Sequence, residues 1–150
     1  MKFLLVALLV FLSGLPLARA AEPELMAALS VMGYGYKVRI TVNGADVGVE
    51  GGKSENRRLF DKGNEMAAQA TPAMRAKNFV LVQGVNEVAI EYTKVDAKAP
   101  DSLEITMQAE GYPKPVLLVT SKAKASDKLL LKVRLDAKPA ADFKPVVVTQ

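Results

Sequence analysis

Apolar and polar residues alternate with a period of two through much of the chain, which is the pattern of a β-strand with one buried face. The clearest stretch spans residues 38–49, where two apolar runs flank Asn43 and Gly44. An Asn-Gly pair fits a type I′ turn, because both central residues of that turn need positive φ. The sequence therefore predicts a β-hairpin whose loop is Asn43-Gly44.

This turn also sets the register of the predicted hairpin. Six apolar side chains share one face as three facing pairs: Val42 with Ala45, Ile40 with Val47, and Val38 with Val49. On the polar face Lys37 lies opposite Glu50, a cross-strand ion pair worth about 0.2–1 kcal/mol. A slip of one residue would turn the apolar face toward water, so the register is well specified.

Residues 79–92 predict a second hairpin of the same kind. Gly84 fits the first position of a type II′ turn, so Gly84-Val85 is the expected loop. Leu81 would then lie opposite Val88, and Phe79 opposite Ile90. The outward positions of the second strand are Glu87, Ala89, Glu91 and Thr93.

Before the first hairpin, residues 22–32 favour a short N-terminal helix. Pro23 lies near its first turn between two acidic residues, and Gly33 would end it. The alternative is a strand that leads into Tyr34 and Tyr36. After the hairpin, residues 51–58 predict a loop, and residues 61–77 a crossover with one or two helical turns, since Pro72 disfavours a long helix.

Further strands are predicted in the second half of the chain. Alternation or short apolar runs mark residues 103–109, 116–119, 128–135 and 146–148. Turn signals separate these strands, and no parallel βαβ rhythm occurs. The predicted fold is all-β: a single antiparallel β-sandwich of about seven to nine strands over residues 21–150, either jelly-roll or immunoglobulin-like.

Residues 1–20 have the organisation of a secretory signal peptide. Lys2 supplies the positive start, and residues 3–12 form an apolar core that is short against the roughly 20 residues of a membrane span. Ala18-Arg19-Ala20 fits the cleavage site, and an uncleaved membrane anchor is the alternative. We expect a periplasmic protein with no transmembrane span after cleavage, or alternatively an extracellular one; the bacterial assignment is an interpretation.

Charge and composition narrow the function classes. The formal charge of +4 falls to +2 when Lys2 and Arg19 leave with the signal, so the sequence predicts no nucleic-acid partner. The chain has no cysteine and no histidine. Disulfides, thiolate metal sites and imidazole-based triads are therefore excluded, and we expect no cofactor and no enzyme activity.

Two weaker chemical patterns have ordinary explanations. Methionine thioethers can bind Cu(I), but the five methionines that follow the signal are scattered, which favours core packing. Glu87 and Glu91 could form the carboxylate pair of a glycosidase, but their common outward face indicates a solvated surface. A small hydrolase is therefore the last of the functional hypotheses.

The candidate binding residues lie around the predicted loop of residues 51–58. Lys53, Arg57 and Arg58 could bind an anionic glycan, a phosphate head group or an acidic partner, because loops on rigid β-scaffolds often carry recognition. Tyr34 and Tyr36 could add contact area nearby. The alternative is a solvated basic loop beside two tyrosines of the core.

Two segments resemble a known family. ITVNGADVG (residues 40–48) and GVNEVAIEY (residues 84–92) are similar to segments of galactose-binding-like jelly-roll modules, such as those that accompany many glycoside hydrolases. The resemblance covers residues 40–92 and implies a jelly-roll fold, with carbohydrate as a ligand. The aromatic platforms of such modules are not evident, since the chain has no tryptophan.

The functional prediction is an exported, non-enzymatic binding protein of the bacterial envelope. Its partner would be another envelope protein or a glycan. An exposed strand edge, such as residues 116–119 or 146–148, could accept a strand from a partner protein. A carbohydrate-binding module is the alternative function.

Overall fold

The computed structural model describes residues 24–122 and 124–150. The predicted signal peptide, residues 1–20, lies outside the described residues. Strands account for 52% and helices for 9% of the structure, which confirms the predicted all-β class.

The described part contains ten strands, one more than the upper bound of the prediction. In chain order they are β1 (Met26–Met32), β2 (Tyr36–Val42), β3 (Ala45–Asp46), β4 (Ser54–Asp61), β5 (Phe79–Leu81), β6 (Gly84–Lys94), β7 (Leu103–Ala109), β8 (Leu117–Ser121), β9 (Ser126–Leu135) and β10 (Val146–Thr149). A 3₁₀ turn (Glu65–Ala68) and the helix α1 (Pro72–Asn78) connect β4 to β5.

The strands form two sheets that share one core. The larger sheet has the order β10-β8-β7-β1-β4-β5, and the smaller one β3-β2-β6-β9. Leu29 and Ile105 from the larger sheet and Ile40 and Ile90 from the smaller sheet belong to one buried cluster. Most neighbouring strands are antiparallel, but β4–β5 and β8–β10 are parallel, so the purely antiparallel prediction is wrong at these two pairs.

The predicted N-terminal helix is wrong, and the alternative of a strand is correct. β1 lies in the middle of the larger sheet, paired with β4 on one side and β7 on the other. Ala27, Leu29 and Val31 are buried, whereas Met26 and Met32 are exposed. This period of two fits a strand, and pairing on both sides outweighs the helix preference of Ala and Leu.

The turn of the first hairpin is confirmed, but farther from the turn the pairing of its two strands is shifted by one residue. Asn43 and Gly44 have φ of 50° and 80°, and Val42 pairs with Ala45 as predicted. Gly48, at φ 72°, then inserts a bulge, so Lys37 lies opposite Gly51 rather than Glu50. The predicted Lys37–Glu50 ion pair does not form.

The second predicted hairpin is wrong, because its two strands belong to different sheets. β5 pairs with β4 in the larger sheet, and β6 lies between β2 and β9 in the smaller one. The buried side chain of Asn86 bridges this crossing: its Oδ1 accepts from Val82 N at 2.9 Å, and its Nδ2 donates to Val82 O at 2.8 Å. The predicted inward positions of β6, including Val88 and Ile90, are confirmed as buried.

The connection between β4 and β5 contains the predicted helical turns. Thr71 caps α1, and Pro72 occupies its first turn, where a missing N–H costs nothing. The helix contacts β3, β4 and β5, so it lies along one side of the two sheets.

The predicted strands of the second half are confirmed as β7, β8, β9 and β10. β8 lies between β7 and β10, so the predicted edge at residues 116–119 is wrong. β10, which contains residues 146–148, is the terminal strand of the larger sheet. Of these two segments, a partner strand could therefore add only to β10.

Candidate functional site

The five predicted binding residues do not form one cluster. Residues 54–58 belong to β4 rather than to a loop, so Arg57 and Arg58 point to opposite sides of the larger sheet. Tyr36 lies in the core, whereas Tyr34 and Lys53 are exposed in neighbouring loops.

Tyr36 is not a surface residue, so its predicted binding role is wrong. Its side chain is 1% exposed and meets the ring of Tyr92 edge to face, with the centroids 6.1 Å apart. Such pairs stabilise a core beyond the area that they bury. The alternative explanation, a core aromatic at a strand end, is the correct one.

Arg57 has structural partners that the predicted loop does not indicate. Its Nη2 donates to the backbone oxygen of Gly48 at 2.7 Å and to Oε1 of Glu55 at 3.3 Å. The Glu55 side chain is only 3% exposed, and its Oε2 accepts from Glu50 N at 3.1 Å and Gly51 N at 2.7 Å. Arg57 and Glu55 therefore hold residues 48–51 in place, and Arg57 is not free to bind a partner.

The sequence points to Glu55 only if residues 54–61 are recognised as a strand. In a strand over residues 54–61, Glu55 and Leu59 share the inward face, and a buried glutamate needs a cation and donors nearby. The glycines and charges of residues 51–58 have no such period when they are treated as a loop. The prediction of a loop therefore hid the buried ion pair.

Arg58 lies on the outer face of the larger sheet. Its register partner on β1 is Ala28, whose partner on β7 is Gln108. The small side chain of Ala28 leaves a shallow groove of about 310 Å³, with Met26 and Phe60 beside it. The Arg58 guanidinium makes no ion pair or hydrogen bond to another described residue.

Tyr34 and Lys53 are brought to one end of the molecule by three loops tied together through the backbone. Gly52 N donates to Gly33 O at 3.3 Å, and Val95 N donates to Gly35 O at 2.8 Å. The side chains of Tyr34 and Val95 are 60% and 66% exposed. We call Tyr34, Lys53 and Val95 the loop platform.

Close packing fixes the loops beneath the platform. A Cβ added to Gly51 would lie 2.3 Å from the backbone oxygen of Tyr36, so only glycine fits there. Gly51 also has φ of 80°, a conformation that favours glycine. The platform therefore has a rigid base, although its side chains are exposed.

An open groove of about 580 Å³ runs beside the platform. Its lining includes four charged residues, Lys37, Arg39, Asp46 and Glu50, and it reaches Val95. Arg39 Nε donates to Asp46 Oδ2 at 3.0 Å. The backbone N–H of Gly48, together with this arginine, lowers the pKa of Asp46. The groove therefore offers fixed charges of both signs.

Two further groups have shifted pKa values, and both lie outside the groove. The backbone N–H of Lys128 and the side chain of Lys124 lower the pKa of Asp127, and Asp136 raises the pKa of Arg134. Each shift favours the charged form. Within the described residues, no three acidic side chains are grouped to bind a metal ion.

No family model, curated protein or solved structure matches the chain. In the part that the structure describes, no helix is both long and apolar enough to cross a bilayer.

Proposed function

We propose that the protein is an exported, non-enzymatic binding protein of the bacterial envelope, periplasmic or alternatively extracellular. It binds a protein or glycan of the envelope through the loop platform and takes no cofactor. The observation that carries the proposal is the platform itself: an aromatic, an aliphatic and a basic side chain project from loops that backbone hydrogen bonds hold together.

The chemistry of the platform fits recognition. Tyrosine is enriched among the residues that dominate binding energy, and a base that is rigid before binding lowers the entropy cost of association. Tyr34 exposes 60% of its surface, whereas the other three tyrosines are buried in the core. Lys53 adds a charge that can select an acidic partner.

Asp46, in the groove beside the platform, is held in its charged form because the Gly48 N–H and Arg39 lower its pKa. A fixed charge of this kind can orient a partner.

For the fold, we propose a β-sandwich of the immunoglobulin-like rather than the jelly-roll type. Two interlocked crossings support this choice: β1 pairs with β4 in one sheet, while β2, which follows β1, pairs with β6 in the other. Immunoglobulin-like sandwiches interlock their strands B, C, E and F in the same way. The resemblance of residues 40–92 to galactose-binding-like modules stays a prediction.

Site-specific photo-crosslinking tests the proposed function. The full chain is expressed in a bacterial host with a photo-reactive residue at Tyr34, and the envelope fraction is irradiated and examined by mass spectrometry. The matched control carries the same residue at Val85, which is 53% exposed at the opposite end of the molecule. We expect one reproducible partner from position 34 alone.

Two results would count against the proposal. Equal products from positions 34 and 85 would indicate chance contacts, and no product from position 34 would remove the platform as a binding surface. The mass of the purified chain tests export separately, because cleavage after Ala20 leaves a chain that begins at Ala21.

Carbohydrate binding is the second candidate, and the groove beside the platform favours it. Its charged side chains can bind hydroxyl and acidic groups of a sugar. Tyr34 is exposed in a loop that a backbone hydrogen bond between Gly33 and Gly52 ties to the rim of the groove. Binding to a glycan array that is lost in Tyr34→Ala would support this function. A flat signal across the array would exclude it for the glycans tested.

A further inference from the structure

β9 is a terminal strand of the smaller sheet and has one free edge. It pairs with β6 along its ten residues, and in the part of the chain that the structure describes no strand pairs with its other edge. The other terminal strands, β3, β5 and β10, have only two, three and four residues. Natural proteins keep free edges short or covered, because their unpaired N–H and C=O groups can pair with another chain. We call the free side of β9, from Leu129 to Arg134, the open edge.

Alternate residues of β9 present their backbone groups to the open edge. Lys94 N donates to Ala125 O at 2.6 Å, in the same register that pairs β6 with β9. Hydrogen-bonded pairs alternate in an antiparallel ladder, so every second residue from Ala125 onward bonds to β6. Lys128 N is already occupied, because Asp127 Oδ1 accepts from it at 2.8 Å. The residues whose N–H and C=O groups point to the open edge are therefore Leu130, Lys132 and Arg134.

The core side of the open edge is incompletely covered. Val133 and Leu135 are buried, whereas Leu129 and Leu131, on the same face of β9, are only half-buried against the core. Leu130, on the outer face, is 64% exposed. A strand added beside β9 with apolar side chains on its core side would remove the remaining surface of Leu129 and Leu131 from water, which favours its binding.

The side chains nearest to an added strand are basic. On the outer face β9 carries Lys128, Lys132 and Arg134. Arg134 is paired with Asp136, and Lys128 Nζ lies 3.3 Å from Glu91 Oε1, but Lys132 makes no ion pair with another described residue. Glu87 and Glu91 belong to β6, one strand farther from the open edge. An added strand therefore meets the lysines first, and acidic side chains complement them.

A second copy of this chain does not fit the open edge. Antiparallel pairing of two β9 strands about Leu130 would place Lys128 opposite Lys132 twice. Pairing about Leu131 would place Lys128 opposite Arg134, and pairing about Lys132 would place that lysine opposite itself. Like charges directly opposite each other are destabilising, and lysines on a free edge are one way in which proteins avoid pairing with their own copies.

We propose that the open edge binds an extended acidic segment of a partner protein, which joins the smaller sheet as an added strand. Its backbone would pair with Leu130 and Lys132, and its apolar side chains would cover Leu129 and Leu131. Its acidic side chains, at the alternate positions, would face Lys128 and Lys132. In such complexes main-chain hydrogen bonds provide affinity and alternate side chains provide specificity. The open edge is separate from the loop platform, so this binding does not depend on the proposed function of the platform.

Isothermal titration calorimetry tests the proposal on protein purified after expression of the full chain. The probe is a synthetic peptide that alternates glutamate with valine and is about as long as the open edge. Its control has lysine in place of each glutamate. We expect binding of the acidic peptide alone, weakened by added salt. Amide hydrogen exchange then locates the peptide, because the N–H groups of Leu130 and Lys132 should exchange more slowly in the complex.

Two variants of the open edge sharpen the test. Leu130→Pro removes the central donor of the edge but no hydrogen bond to β6, and proline is tolerated on edge strands, so it should weaken peptide binding at least about tenfold. Lys132→Glu should weaken binding of the acidic peptide about tenfold and strengthen that of the basic peptide. Such a reversed preference cannot come from misfolding. Lys62→Glu, the same charge reversal in the turn after β4, and Tyr34→Ala, on the loop platform, should leave binding unchanged.

Several results would overturn the proposal. These are no binding of the acidic peptide at about 1 mM, equal binding of the basic peptide, or binding that Leu130→Pro leaves intact. Sedimentation velocity of the chain alone tests the other occupant. A dimer that is lost in Leu130→Pro, with a circular dichroism spectrum that shows the fold is kept, would assign the open edge to a second copy instead.

Discussion

Two carboxylate–arginine pairs hold the same bulged loop, residues 48–51, in different environments. Asp46 and Arg39 lie on the solvent side, with 45% and 63% of their side-chain surfaces exposed. Glu55 and Arg57 lie on the core side, with 3% and 34% exposed. Asp46 Oδ1 accepts one backbone N–H, from Gly48 at 2.8 Å, whereas Glu55 accepts two.

Burial and the number of hydrogen-bond donors decide how much such an ion pair contributes to stability. An exposed pair contributes about 0–1 kcal/mol, since water and salt screen it. A buried carboxylate that satisfies backbone amides cannot be removed without leaving those amides unpaired, which costs about 1–3 kcal/mol. The loop that supports the platform should therefore depend on Glu55 far more than on Asp46.

The largest effect is expected from Glu55→Ala. The change leaves the N–H groups of Glu50 and Gly51 without an acceptor and the Arg57 guanidinium without its partner. We expect a loss of about 3 kcal/mol in the free energy of unfolding, measured with urea. Glu87→Ala, on the exposed face of β6, is the control and should change it by less than about 0.5 kcal/mol. Equal effects would contradict the comparison.

Gly51→Ala should follow in size. The added methyl would lie 2.3 Å from Tyr36 O and 2.9 Å from Val38 N, at a φ of 80°. We expect a loss of about 2–3 kcal/mol from the clash and the backbone strain together. Gly52 has a similar φ, but no atom lies within 4 Å of a Cβ added there. Gly52→Ala should therefore lose only the part due to backbone strain, about 1 kcal/mol. Thermal unfolding of both variants measures the difference between their losses of stability. A greater loss in Gly52→Ala than in Gly51→Ala would show that Gly51 is not closely packed against Tyr36 and Val38.

The adjacent arginines of β4 provide the third test. Arg57→Ala should cost about 1–2 kcal/mol, because Glu55 keeps its two amide donors but loses its cation, and the exposure of Arg57 limits the loss. Arg58→Ala should change the free energy of unfolding by less than about 0.5 kcal/mol in dilute solution. If the two variants unfold alike, Arg57 does not support the loop.

The fold was predictable where alternation and turn chemistry agree. Asn43 and Gly44 fix their turn through local backbone preferences, and β7 and β9 show their period of two directly. The N-terminal strand β1 was missed because Ala and Leu also form helices, and only its neighbours β4 and β7 distinguish the two. Gly84 was misjudged because positive φ occurs in many turns, and the crossing depends on the side chain of Asn86.

The candidate site was predictable only in part, for a related reason. The sequence predicts a loop at Lys53 but leaves Tyr34 either beside that loop or in the core, and the proximity of the two depends on hydrogen bonds between residues far apart in sequence. Val95 follows the end of β6 and has no local pattern that would mark it. Arg57 and Arg58 look equivalent in the sequence, and only the strand register shows that one supports the loop and the other faces solvent.

The smallest effect is expected from Asp46→Asn, and it depends on pH. The hydrogen bond from Gly48 N, together with Arg39, lowers the pKa of Asp46 below its ordinary value of 3.8. A lowered pKa means that the stabilisation is present above the unfolded value and is lost as the pH falls through the folded value. Asn keeps an oxygen for Gly48 N, so the change removes the charge and the acceptor for Arg39 Nε but not the hydrogen bond to the backbone.

At pH 6 we therefore expect Asp46→Asn to reduce the free energy of unfolding by about 0.5 kcal/mol, a value limited by solvent screening. The difference from the unaltered chain should close as the pH falls below 3.8. Asp142→Asn, at an exposed aspartate that accepts no hydrogen bond from a described residue, is the control and should show no such closure. A difference for Asp46→Asn that persists in acid would mean that shape, not charge, sets its contribution. In that case the charge of Asp46 would not stabilise residues 48–51. The different contributions of Asp46 and Glu55 would then come from the number of their hydrogen bonds to the backbone.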